Sequence, residues 1–384
     1  MSEGPERFAA LALACAGVSR KQAEDLARSF GSLTAALRAT AAELERAGLA
    51  PAAVRRAGGG GAARAGEEAL RATEASGGRA LLPGDAGWPA AFDEVSPSPA
   101  VIFVLGALPR VPFAGVVGAR RADAYGLDFA RALGSELAAA GVGVVSGGAL
   151  GIDGAAHAGA LCAAGATVAV LGCGIDVRYP PENAQLQDEI AARGALLSEL
   201  PPGTPPAAAH FPRRNRLIAA LGRALVVVRA AERSGSLVTA HEARKLGRPL
   251  LAVPGPAGDP LARGTNLLLR EGARMCEGAA DVLAAMEEGE RGREVAVAPE
   301  PRAERRRGDG SSPPEAPPHP LPPLPPDEAR VFDLLSAVPV TLDAIGRTAA
   351  LEAARVSAAL TRLELLGLAA RAPGNTFRRQ DPPS

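Results

Sequence analysis

With 384 residues, 47% of them hydrophobic, the chain is long enough to bury a full core and to form two or three domains. Its 42 basic and 42 acidic residues cancel, so overall charge argues neither for nor against an anionic partner, and only local clusters can attract phosphate. Cys15, Cys162, Cys173 and Cys276 lie far apart with no CxxC pair, which argues against a disulfide framework and a zinc site, and the N-terminal apolar run is interrupted by Gly17 and Lys21, unlike a signal peptide or membrane span.

Residues 1–75 show apolar positions at helical spacing, separated by glycines and followed by the break GGGGAARAG. A small helical domain is expected there. Its segment GVSRKQAEDLARSFGSL resembles a helix-hairpin-helix, whose glycine turn can present amides to a nucleic-acid backbone; a plain packing module explains the same pattern.

From Phe113 onward, short Val, Leu and Ala runs alternate with helical segments: FAGVVGA, VGVVSGG, TVAVLG, ALLSEL, ALVVVRA and PLLAVPG, each followed by a helix pattern. Apolar strands without polar alternation, joined through helices, predict an α/β fold with a doubly wound, mostly parallel sheet over residues 80–285. Right-handed crossovers then bring the strand-to-helix turns to one edge of that sheet.

Residues 286–326 turn charged and then proline-rich, and read as an extended linker in which Arg305, Arg306 and Arg307 are a solvated run. Residues 327–384 give three helix patterns and a turn between two short extended pieces, which describes a small winged helix with residues 351–366 as the recognition helix. Arg355 and Arg362 on that helix are offset by Glu352 and Glu364, leaving protein contact as open as DNA contact.

Three strand ends carry the chemistry. VGVVSGGALGID places Ser146, Gly147, Gly148, Gly151 and Asp153 where an apolar run breaks into a turn before a helix, and such junctions offer unpaired amides to anions. AGVVGARR places Gly118, Arg120 and Arg121 similarly, and VAVLGCGID repeats the glycine turn. In FPRRNRLIAALG, Arg213, Arg214, Asn215 and Arg216 fall in the expected first turn of a helix. Cations oppose the macrodipole there unless an anion is bound; pairing with Glu199 or Asp153 is the structural alternative. Ser234, Gly235 and Ser236 follow another strand and can cap a helix or face the same rim. Asp153 and His157 sit one helical turn apart, but with no nucleophile nearby the histidine reads as structural, bonded to a neighbouring strand.

The ordered set VVGARRADAYG, VVSGGALGIDGAAH, TVAVLGCGIDVRYPPEN, LLSELPPGTPP, FPRRNRLIAAL, SGSLVTAHEA and AVPGPAGDPLARGTN resembles the DNA-processing protein A family, also called Smf, over roughly residues 80–280. That resemblance implies an extended Rossmann-like domain and a cytoplasmic, non-enzymatic protein without cofactor, metal or membrane contact. It also implies a homodimer that binds single-stranded DNA, protects it during natural transformation and loads RecA recombinase. Carried over by motif, Arg120 grips the backbone; Ser146, Gly147, Gly148, Gly151 and Asp153 shape the pocket; Arg214, Asn215 and Arg216 line its wall; Tyr179 and Asn183 belong to a YPxxN turn; Ser234, Gly235 and Ser236 complete the rim. Tyr179 and Phe211 are the rings available for base stacking. The family pattern SGLARGID has an arginine where this chain has Leu150, a lysine is frequent where Pro181 and Glu182 stand, and a glutamate is common where Arg229 stands. Arg121 and Arg178 are the candidates to compensate for the missing cations. A second function class, a Rossmann-like nucleotide phosphoribohydrolase, lacks its PGGxGTxxE signature here.

Overall fold

The computed structural model describes residues 4–297, 324–335, 340–349, 351–365, 368–372 and 376–379, which fall into two units on either side of residue 300. In the first unit six helices come first: α1 (Pro5–Cys15), α2 (Arg20–Phe30), α3 (Leu33–Leu37), α4 (Ala41–Arg46), α5 (Pro51–Ala57) and α6 (Gly61–Ala75). Local chemistry sets several of their starts. Ser19 with Gln22 and Thr40 with Glu43 form reciprocal capping boxes, and Pro51 opens α5 where its missing N–H costs nothing. In the α1–α2 hairpin the Gly17 and Val18 amides already donate to Ala14 O and Leu13 O, at 2.8 and 3.0 Å. The Arg56 Nε covers the same turn by donating to Ala16 O at 2.8 Å.

The chain then lays down β1 (Arg79–Leu81), β2 (Ile102–Gly106), β3 (Phe113–Val117), α7 (Ala124–Ala139), β4 (Gly143–Ser146), α8 (Ile152–Cys162), β5 (Thr167–Val170) and α9 (Ala184–Arg193). It continues with β6 (Ala195–Ser198), α10 (His210–Leu221), β7 (Gly222–Val227), α11 (Gly235–Lys245), β8 (Leu250–Ala252), α12 (Arg263–Arg270), β9 (Arg274–Met275) and α13 (Ala279–Val297). The strands form one nine-stranded sheet in the order β1-β2-β6-β5-β4-β3-β7-β8-β9 among the described residues. From β6 to β9 every neighbouring pair is parallel, whereas β2 runs antiparallel to β6 and β1 antiparallel to β2. Strand order reverses between β3 and β7, and such a switch point opens a crevice at the carboxyl ends of the strands.

Both faces of the sheet are buried. One core holds Val145, Val168, Leu197, Leu217, Leu225 and Val227; the other holds Val116, Leu133, Leu137, Val144, Ile152 and Val226. Each such side chain contributes about 1.5–3 kcal/mol on burial, which explains why these strands carry no polar alternation. A further cluster joins Leu11 and Ala69 of the helices to Ala80, Leu82, Phe103 and Ile175, so the helical segment and the sheet share a core. Arg7 and Asp85 bridge the same junction at 2.8 Å. Helix α13 continues past residue 285, where the sequence suggested a linker, and Arg274 holds its Glu288 at 2.5 Å. No helix among the described residues is long and apolar enough to cross a membrane.

The second unit contains α14 (Pro326–Asp333), β10 (Val340–Thr341), α15 (Leu342–Ala349), α16 (Ala353–Leu365), β11 (Ala369–Ala372) and β12 (Thr376–Arg379), with sheet order β10-β12-β11. This is the winged-helix arrangement expected from the three helix patterns and the terminal turn. Arg355 pairs with Asp327 at 2.5 Å and Arg362 with Glu328 at 3.5 Å, so both cations of the expected recognition helix are engaged by α14. The Arg305–Arg307 run and most of the proline-rich segment lie outside the described residues.

Candidate nucleic-acid interface

A cavity of about 570 Å³ opens at the β3/β7 switch point. The turn after β3 contributes Gly118 and Arg120, α8 contributes Asp153, α10 contributes Phe211, Arg214 and Asn215, and the start of α11 contributes Ser234, Gly235 and Ser236. Tyr179 enters from the loop after β5. Ten of the residues singled out in the sequence therefore meet in one hollow, because the parallel topology delivers their turns to one edge.

Arg120 is exposed and makes no ion pair among the described residues. Its guanidinium lies 4.9 Å from the Phe211 ring centroid, and Tyr179 and Phe211 sit 5.9 Å apart at 34°. A cation resting on an aromatic pair is a ready platform for a phosphate and its attached base.

Arg214 does different work. It is only 7% exposed, and its Nη1 donates to Gly147 O at 2.7 Å and to Val170 O, pinning the β4 and β5 strand ends together. Gly147 leaves room for this guanidinium, since an added Cβ would stand 2.4 Å from it and displace Arg214. The Gly147 amide in turn donates to Asp153 Oδ2 at 3.1 Å. Burial raises the Asp153 carboxyl above its usual range, against the opposing pull of Arg214 and hydrogen bonds. Burial likewise lowers the Arg214 guanidinium to about 10 and the His157 imidazole to about 3, Arg214 reinforcing the latter. His157 does not pair with Asp153: its Nδ1 is 2.7 Å from Thr167 Oγ1 on β5, and that hydroxyl donates to Val144 O. Thr167 thus accepts from a protonated Nδ1, which is the structural role read from the sequence.

Other sequence candidates support the hollow without lining it. Ser146 donates to Val116 O at 2.6 Å, Gly148 and Gly151 take φ of +66° and +76° to make the turn, and Asn183 Nδ2 holds the Gly148 and Ala149 carbonyls at 3.1 and 2.9 Å. Ser234, which does line the hollow, also caps α11 through the Ser236 amide.

Three expectations are corrected. Helix α10 begins at His210, so Arg213 closes its first turn while Arg214 and Arg216 fall beyond it, and the argument from misplaced charge holds for Arg213 alone. Arg216 does not line the wall: it is 5% exposed and donates to both oxygens of Glu199 at 2.8 Å. Arg178 does not replace a missing rim cation either, being held by Asp188 at 2.7 Å and Ile175 O at 3.0 Å. Arg121 and Arg213 are exposed but lie outside the cavity lining. Pro206, Ala207, Ala208, Val238 and Thr239 complete the walls. Val238 and Thr239 follow the Ser234–Ser236 cap at helical spacing, a signal present in the sequence; the Pro-Ala stretch offered none.

Comparison with known proteins agrees with this geometry. Residues 79–287 match the family model for DNA recombination-mediator protein A, and residues 315–375 match that of the DprA winged helix domain. The Smf protein of Synechocystis is 35% identical over 326 residues, covering 78% of this chain and 80% of its own. The putative DNA processing protein DprA of Mycobacterium tuberculosis is 46% identical over 224 residues, 54% of this chain, which spans only 57% of that relative's length. Among solved structures, DprA from Streptococcus pneumoniae superposes with a TM-score of 0.62 at 31% identity, covering 74% of this chain and 98% of that one. DNA processing protein A from Helicobacter pylori, described for its single-stranded DNA binding mode, gives a TM-score of 0.50 at 30% identity over 55% of this chain and 96% of that one.

Proposed function

From the premise that this chain belongs to the DNA recombination-mediator protein A family, we propose that it is a recombination mediator that holds single-stranded DNA in the switch-point cavity, protects it and delivers it to RecA during natural transformation. One observation carries the reading: Arg120, exposed and without an acidic partner among the described residues, lies over Phe211 and lines a cavity together with the start of α11. Phosphates are met by Arg120 and by turn amides, bases by Phe211 and Tyr179, and Arg214 with Asp153 keeps the floor rigid. The protein acts in the cytoplasm as a homodimer. Leu267 on α12 and Met275 on β9, 37% and 53% exposed, give the open β9 edge of the sheet the apolar surface a second copy requires.

Arg120→Ala tests the site. Fluorescence anisotropy with labelled single strands at several salt concentrations should show about tenfold weaker binding for every sequence and a salt slope reduced by about 0.7, the loss of one single-strand phosphate contact. Unchanged affinity would remove Arg120 from the interface.

A further inference from the structure

Behind the Arg120–Phe211 pair a second, narrower cleft of about 70 Å³ opens off the same site, sharing Arg120, Ala149, Tyr179, Phe211 and Arg214 with the larger cavity. Besides the two arginines its lining is largely apolar, with Leu171 and Cys173, 3% and 1% exposed, beside Pro180 and the two rings. The Phe211 ring sits close against the strand end because residue 172 is glycine; a Cβ there would meet Phe211 Cδ1 at 2.8 Å. Leu150, 36% exposed on the turn before α8, lines it as well. A leucine left this open at the lip of a cleft belongs to no core cluster, and it stands beside Arg120 where a further cation would have strengthened a purely phosphate-binding rim.

Resting on the function proposed above, we propose that Leu150 is a specificity-determining residue of this site: it lines an apolar cleft, too small to enclose a whole ring, that receives the edge of one unpaired nucleobase, making affinity depend on the base as well as on the backbone. The occupant follows from the chemistry. A phosphate gains nothing from Leu150, Leu171 or Pro180 and loses its hydration among them, whereas the edge of an uncharged ring gains apolar contact. In a duplex each base is stacked and paired, so only a single strand offers one to the cleft. Arg120, which also lines the cleft, retains the phosphate of the same nucleotide, which sets the cleft's position along the strand.

The test compares oligo(dT) with an abasic strand of equal length, binding each to the full-length protein, to Leu150→Arg and to Leu150→Ala, across a salt series. The wild-type protein should prefer oligo(dT) by roughly tenfold, the scale of one well-stacked base. Leu150→Arg should bind the abasic strand more tightly, steepen the salt slope by about 0.7 and bring the preference close to one. Leu150→Ala should lower the preference without steepening the slope. Equal wild-type affinity for the two strands, or an unchanged preference in both variants whose thermal unfolding matches wild type, would overturn the role of Leu150 while leaving the strand site standing. Failure of the wild-type protein to bind either strand would overturn the site itself.

Discussion

At the scale of single residues, the arginines divide into those that face solvent and those that hold the fold. Arg120 is free at the cavity, while Arg214, Arg216 and Arg229 are buried and engaged by carbonyls or carboxylates. Sequence alone could not separate the two groups, because the partners are remote: the Arg214–Gly147 bond spans 67 residues and the Arg229–Asp123 pair 106. His157 supplies a prediction with a definite sign. Its folded pKa is depressed to about 3 by burial, below the usual value near 6.5, so between those limits the unfolded chain binds a proton that the folded chain refuses. Stability from this group is therefore complete above about pH 6.5 and is lost as pH falls through that window. Urea unfolding at pH 7.5 and pH 5.5 should differ by about 1.4 kcal/mol more for wild type than for His157→Gln. An equal pH dependence in the two proteins would show that the imidazole is not buried neutral.

At the scale of elements, the turn between β4 and α8 is the most constrained part of the site. Gly147 approaches the Arg214 guanidinium, Gly148 and Gly151 have positive φ, and Asn183 ties down two of its carbonyls. Gly147→Ala should displace Arg214 and cost about 1–3 kcal/mol of stability as an overpacked contact, with strand affinity falling alongside. Chemical denaturation read with the anisotropy assay checks both, and a variant with wild-type stability would show that the turn relaxes freely. The parallel strands were legible because burial on both faces leaves an unbroken apolar run. β1, β2 and β9 were not, for different reasons. β1 and β9 are three and two residues long, β9 is exposed throughout, and β2 follows a proline-rich turn, so neither length nor periodicity announced them. The glycine turns of the site were visible as strand-ending motifs, whereas the Pro206–Ala208 wall belongs to an irregular loop with no periodic signature.

At the scale of the molecule, the open ends of the sheet differ. The β1 end is closed by the helical segment through Leu11, Ala69 and Phe103, while the β9 end presents Met275 to solvent. Placing a charge there tests the dimer proposed above: Met275→Glu should shift the protein toward a monomer in sedimentation-velocity measurements while single-strand affinity per copy stays at the wild-type value. Persistence of the dimer at wild-type affinity would move the interface elsewhere.

Arg229 carries a consequence for how this sequence can change. Its Nη2 reaches both Asp123 and Asp259, and its ring neighbour Tyr125 lies 5.8 Å away, so the ends of β3, β7 and β8 are strapped together by one buried cation between two acids. Replacing that arginine alone strands two negative charges side by side, and neutralising either acid alone weakens the strap without freeing the cation. Exchange at position 229 is therefore conditional: an acidic residue there would face Asp123 and Asp259, 106 and 30 positions away, and is tolerated only when both aspartates are replaced as well.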